Sequence, residues 1–210
     1  MKQLTLVFLL IPFAGMAQFN KGQVFLGGSM NAQYTTGQSG YINNTFSVTP
    51  RAGYFINERW ALGVMPGVAL SHQTSTSDNA GWSTVSKNNS TAISAAMFGR
   101  RYVEISERFL FIIEGNVNFS QNNTTSTYTQ TDPTGVISMS NSKTSSNSFG
   151  VYLRPLFIFF PSPKWGFEAG LGNLSVSRQR NLSSHTGYTT VSLSTFGGLS
   201  FGVTYYFKRS

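Results

Sequence analysis

From Val191 to Phe207 the chain alternates between two kinds of residue with a period of two. Val191, Leu193, Thr195, Gly197, Leu199, Phe201, Val203, Tyr205 and Phe207 form one series, and Ser192, Ser194, Phe196, Gly198, Ser200, Gly202, Thr204 and Tyr206 form the other. Successive side chains of a strand point to opposite faces, so this stretch predicts a strand with one apolar face and one small or polar face. The same texture recurs upstream and predicts eight strands, at about 22–34, 44–56, 60–73, 90–104, 108–121, 147–160, 165–178 and 188–207. Most run to about 13 residues or more, well beyond the roughly 5 or 6 usual in soluble sheets and enough for the roughly 9 to 11 of a tilted membrane-crossing strand.

The connections alternate too. Those after the second, fourth and sixth strands are short: Asn57-Glu58-Arg59, the region of Ser106-Glu107, and Pro161-Ser162-Pro163-Lys164. Those after the first, third, fifth and seventh are expected to be longer loops, at about 35–43, 74–89, 122–146 and 179–187. In an up-and-down barrel, odd and even connections fall at opposite ends, so one end carries tight turns and the other long loops. Residues 121–148 hold 20 Ser, Thr, Asn or Gln out of 28 and are expected to form a solvated outer loop or a contact surface for a partner.

Composition narrows the setting. Of 210 residues, 10% are charged and 14% aromatic, with 21 glycines, a balance that suits one all-β domain. The net charge of +8 comes from scattered basic residues, adjacent only at Arg100-Arg101 and Lys208-Arg209, and no nucleic-acid motif accompanies them. No cysteine is present, which excludes disulfides, thiolate metal sites and cysteine nucleophiles. Residues 1–17 read as a secretory signal: Lys2, an apolar stretch from Leu4 to Phe13, and Gly15-Met16-Ala17 before Gln18. That apolar stretch is shorter than the ~20 residues of a spanning helix, so any membrane span in residues 18–210 is expected to be β.

These features together resemble the small eight-stranded outer-membrane β-barrels of the OmpA/OmpX type, a porin-like family of Gram-negative bacteria. The residues carrying the likeness are the Ala17-Gln18 junction, FSVTPRAGYFINERWALGV (46–64), FGRRYVEISERFLFIIEGNVNF (98–119) and the closing FGGLSFGVTYYF (196–207). The resemblance implies an all-β, antiparallel, up-and-down transmembrane barrel with periplasmic termini. It also implies a monomer surrounded by outer-membrane lipid including lipopolysaccharide, and delivery by the barrel-assembly machinery, which reads a terminal aromatic such as Phe207. The peptidoglycan-binding domain that follows the barrel in full OmpA-like proteins is not expected.

Five charges interrupt the apolar strands. Alternation places Arg51 opposite Phe46, Val48, Pro50, Ala52 and Tyr54, and Glu114 opposite Phe109, Phe111, Ile113, Val117 and Phe119. It places Arg154 opposite Val151, Leu153, Phe157 and Phe159, and Glu168 opposite Trp165, Phe167, Ala169 and Leu171; with Ile93, Ala95 and Met97 outward, Arg100 turns inward. A basic side chain facing lipid at mid-depth costs about 2 to 4 kcal/mol, so all five are expected inside, as one belt of three arginines and two glutamates that pair. Arg154 and Glu168, on adjacent strands, are the expected neighbours. An eight-stranded bore is only wide enough for side chains to fill, which favours a plug over a conduction filter. Tyr54, Trp60, Phe109, Trp165, Tyr205 and Phe207 are expected as an outward aromatic girdle near the short turns. Pro50, Pro66 and Pro155 fall inside strands and are expected to sit at local bulges.

Chemistry is sparsely signalled. His72 and His185 lack a neighbouring ligand cluster, so neither a metal nor another cofactor is expected. His72, Asp78, Asp132 and His185 all fall at the long-loop end, without a spacing that identifies a nucleophile, base and orienter. The expected role is structural or surface-interacting, through a partner not identifiable from these residues. Small-solute passage and rim catalysis on lipid are the alternatives, and a soluble barrel around an apolar ligand would need the opposite alternation.

Overall fold

The computed structural model describes residues 19–38 and 40–207; the expected signal segment and Lys208-Arg209 lie outside them. Eight antiparallel strands follow one another around a closed barrel: β1 (Val24–Thr36), β2 (Ile42–Phe55), β3 (Trp60–Asn79), β4 (Trp82–Ser106), β5 (Phe109–Thr131), β6 (Ile137–Ser162), β7 (Trp165–Asn181) and β8 (Gly187–Tyr206). Each strand pairs with its neighbours in sequence, and β8 returns to β1. Closure is uneven: β1 and β8 pair only from Phe25↔Tyr206 to Gly28↔Val203, whereas β4 and β5 stay paired from Ser83↔Thr131 to Ser106↔Phe109.

The strands overturn the expectation of long loops. The segment expected as a loop over 74–89 is a continuation of β3 and β4 around the two-residue turn Ala80-Gly81, and the one over 122–146 is a continuation of β5 and β6 around residues 132–136. The physical reason is that these tracts, though polar, are rich in threonine and still alternate, so they ladder as well as the apolar halves do. Ala80 and Gly81 both take positive φ, 49° and 83°, the conformation of a tight hairpin turn. At the other tip the Asp132 carboxylate accepts hydrogen bonds from Thr134 N at 2.9 Å and Val136 N at 2.8 Å, and Gly135 takes φ 84°. The barrel therefore continues past its apolar part as a stiff polar ribbon.

The prolines divide into two cases. Pro50 and Pro66 face each other across β2 and β3, where pairing lapses between Val48↔Val68 and Ala52↔Val64 without any change of register. The expectation of a bulge fails there because each missing donor is met by another missing donor. At Pro155 a slip does occur, between Leu153↔Leu174 and Leu156↔Gly170. The extra residue lies in β7 at Gly172, whose φ is 134°. Below it Phe167 faces out and Glu168 in; above it Leu174, Val176, Arg178 and Arg180 face out.

Two surfaces result. The outer face of the lower barrel is a continuous apolar band that includes Leu62, Val64, Val117, Phe119, Val151, Leu153, Phe167 and Val203. The inner face is filled from the short-turn end by aromatic rings, then by charges, then by small polar side chains.

Candidate functional site

The lowest interior layer is a ring stack. Phe25, Phe55, Tyr102, Phe160 and Tyr206 point inward from five strands, and Phe19, ahead of β1, sits among them. Its ring stacks on Phe55 at 4.3 Å between centroids and lies 5.0 Å from Tyr102 and 5.2 Å from Tyr206. All six are buried, so this end of the bore is corked. The sequence reading singles out none of these six as a site residue. The available signal is parity: Phe25 alternates with Val24 and Leu26, and Phe55 follows outward Tyr54, so each belongs to the inner series.

Above the cork lie the five charged residues. Arg100 and Glu114 are fully buried, Arg51 and Glu168 nearly so, and Arg154 is 26% exposed at its side chain. Cross-strand register accounts for part of the arrangement, because Arg100 on β4 and Arg154 on β6 are the direct partners of Glu114 on β5. Arg100 is the hub. Its Nε donates to Glu114 Oε2 at 2.7 Å, while Nη1 and Nη2 donate to Glu168 Oε1 and Oε2 at 2.9 and 2.8 Å. Arg51 Nη1 donates to the same Glu168 Oε2 at 2.6 Å, and Thr204 Oγ1 to Oε1 at 2.5 Å. Arg154 donates through Nε and Nη2 to Glu114 Oε1, which also accepts from Asn116 Nδ2 at 3.3 Å.

The expected contact between Arg154 and Glu168 is replaced by these pairs. Glu168 lies opposite Ile158, four residues along β6 from Arg154, because the hairpin closed at Ser162↔Trp165 sets that register; the slip at Pro155 changes it by only one residue. The guanidinium groups also rest on the rings below: Arg100 Cζ is 5.3 Å from the Phe98 centroid and 5.7 Å from Phe25, and Arg51 Cζ is 5.8 Å from Phe98. Burial of ions is tolerable only when opposite charges and hydrogen bonds compensate it, and here two carboxylates are shared by three guanidinium groups. Arg51 Nε alone among the cluster's buried nitrogens lacks a partner in the described residues.

Above the charges a cavity of about 430 Å³ is lined by Ser71, Ser90, Ser120, Ser148 and Gln179 among others. Hydroxyl pairs such as Ser120–Ser148 and Ser90–Thr124, both 2.7 Å, tie its wall together. It forms a polar vestibule in the part of the bore beyond the ion-pair cluster.

The six aromatics expected as a girdle lie on the outer face at the short-turn end. Trp165 and Tyr205 are cross-strand partners with rings 5.0 Å apart, Tyr205 also meets Phe207 at 5.0 Å, and Arg101 lies 5.8 Å over Trp60. Phe109 stacks on Phe157 at 5.4 Å, and Tyr54 is paired with Leu62. His72, on the outer face, contacts Asn89 Oδ1 at 2.5 Å and Thr74 at 3.3 Å, and His185 sits in the β7–β8 turn with φ 58°. Among the described residues no three metal-ligating side chains converge.

No family model matches the chain, and no curated protein matches it. Solved structures similar to it include a major outer membrane protein from Thermus thermophilus, at 13% identity and TM-score 0.44 over 88% of this chain and 99% of that one. Ail, the attachment invasion locus protein of Yersinia pestis, is similar at 12% identity and TM-score 0.33 over 89% of this chain and 99% of that one. The ferric citrate transporter FecA is similar at 10% identity and TM-score 0.40 over 73% of this chain, which spans only 24% of FecA's length. All three are remote likenesses, and the barrel described above rests on its own strand register.

Proposed function

We propose that this chain is an outer-membrane barrel, exported by its N-terminal segment and inserted as a monomer, that serves as a closed scaffold presenting a polar β-ribbon outside the cell. The observation that carries this is the inversion of the two faces: large apolar side chains cover the outside while Arg100 and Glu114 are fully buried within. A soluble protein rarely exposes so broad an apolar surface, and a bilayer supplies the solvent that such a surface requires. The short turns face the periplasm, the six outward aromatics lie at that interface, and lipopolysaccharide surrounds the opposite half. Assembly proceeds through the barrel-assembly machinery. The role is structural or adhesive through the ribbon, without enzymatic activity.

Two features oppose solute passage. The Phe19 cork fills the bore at one level, and the ion-pair cluster fills the next. Outer-membrane fractionation, proteolysis of intact cells and planar-bilayer recording test the proposal together. The expected result is membrane-bound protein, cuts confined to the connections at 37–41, 80–81, 132–136 and 182–186, and no steady conductance. Recovery in the soluble periplasm would overturn the membrane placement, and ohmic conductance would overturn the closed scaffold in favour of a small-solute channel.

A further inference from the structure

Arg178 and Arg180 stand side by side on the outer face of β7, both exposed. Their positions relative to the apolar band are specific. One step below, Val176 pairs with Val151 on β6 and Val191 on β8. Arg178 pairs with Phe149 and Thr189, and Arg180 with Asn147 and Gly187. The apolar column of Leu174, Val176, Val151 and Phe149 thus ends at the level of Arg178, and Arg180 beyond it is flanked by the polar Asn147 and by Gly187.

No carboxylate is placed to neutralise them. The chain has seven acidic residues. Glu114 and Glu168 are committed to the interior cluster, Glu58, Glu104 and Glu107 lie at the short-turn end, and Asp78 and Asp132 lie at the tips of β3 and the β5–β6 hairpin. Lys143, outward on β6, adds a further cation farther along the same face. Among the described residues no salt bridge includes Arg178 or Arg180.

We propose that Arg178 and Arg180 form a binding site for the phosphate of an anionic lipid whose acyl chains lie along Leu174, Val176, Val151 and Phe149. Same-face neighbours on a strand are about 6.8 Å apart, so two guanidinium groups can close on one phosphate from either side. Arginine presents a planar fork of donors that matches phosphate oxygens, which suits this position better than a single lysine would. Asn147, beside Arg180, contributes a side-chain amide donor at the same level. The position at the end of an apolar column selects an amphiphile, since a free anion gains nothing from the valines and phenylalanine below. This inference rests on the membrane placement proposed above.

The test uses the full chain in nanodiscs of phosphatidylcholine doped with phosphatidylglycerol, with protein-associated lipid quantified by mass spectrometry. Wild type is expected to enrich phosphatidylglycerol, and R178Q and R180Q each to reduce that enrichment about five-fold, with K164Q at the opposite end unchanged. Both arginines are exposed, so folding is expected to survive, as checked by the retained β-sheet circular dichroism. Equal loss in K164Q would overturn the site as a general charge effect, and full displacement by inorganic phosphate would overturn the lipid as its occupant. A wild type that inserts without enriching phosphatidylglycerol overturns the site alone. Failure to enter the nanodisc overturns the membrane placement and the site with it.

Discussion

Arg100 and Glu168 face each other across the bore through two parallel hydrogen bonds, Nη1 to Oε1 at 2.9 Å and Nη2 to Oε2 at 2.8 Å. Glu168 serves Arg51 and Thr204 as well, so four donors converge on one carboxylate. Removing one member of a buried ion pair leaves the others uncompensated, which typically costs about 3–5 kcal/mol. Glu168→Gln is therefore expected to lower barrel stability by that amount in urea titrations of vesicle-inserted protein. A change below about 1 kcal/mol would show that water, rather than the carboxylate, satisfies the arginines.

Arg154 bonds Glu114 and lies four residues along β6 from Ile158, the cross-strand partner of Glu168. Double-mutant cycles separate the two relationships: Arg154→Gln with Glu114→Gln is expected to show coupling of about 1–3 kcal/mol, and Arg154→Gln with Glu168→Gln a smaller residual transmitted through the shared cluster. Equal coupling in both cycles would contradict the partner assignment.

Phe19 touches four rings of the cork. Phe19→Ala is expected to destabilise by about 3 kcal/mol and to admit a small apolar probe at the short-turn end, measured by fluorescence of a solvatochromic dye. Unchanged stability and no dye uptake would mean that the remaining rings close over the gap.

Asp132 sits partly exposed at the tip, and hydrogen bonds from Thr134 and Val136 hold its carboxyl below the usual carboxylate range. Because the folded value is the depressed one, its contribution to the β5–β6 tip is complete above the ordinary carboxylate pKa of about 3.9 and is lost as pH falls through the lowered value. Amide exchange at Thr134 and Val136 is expected to remain slow at pH 4 and to quicken in more acidic buffer. Exchange that quickened between neutrality and pH 5 would place the protection elsewhere.

Alternation puts Arg51, Glu114, Arg154 and Glu168 in the inner series, because each is out of phase with outward apolar residues of its strand, whereas the fourth strand can be read in either frame and Arg100 turns inward only with Ile93, Ala95 and Met97 outward. Alternation does not suffice for their pairing. Which carboxylate meets which guanidinium depends on inter-strand register, and the slip between Leu153 and Leu156 cannot be counted from one strand. The ribbon departs from expectation for another reason: polarity is an unsafe mark of a loop, since Thr125, Thr127, Thr129 and Thr131 keep one face of β5 while Asn79-Ala80-Gly81 and Asp132-Pro133-Thr134-Gly135 carry the turn residues. The cork is hard to read because its rings share the inner series with serines and glycines, as Tyr206 does with Gly202 and Thr204.

A β-strand has a reading frame of two, and Gly172 is its one-residue frameshift within β7. Upstream, the frame that turns Phe167 outward delivers Glu168 to Arg51 and Arg100; downstream, the shifted frame delivers Arg178 and Arg180 to the surface and Gln179 to the vestibule. Deleting Gly172 would restore a single frame, so one half of the strand would be turned inside out: either Glu168 would leave its arginines or both surface arginines would enter the bore. A substitution such as Gly172→Ala keeps the count but strains a φ of 134° that side-chain-bearing residues seldom adopt, at a cost of about 1–3 kcal/mol. The deletion is expected to abolish folding where the substitution only weakens it, since it is the number of residues, more than their identity, that this strand encodes at that point.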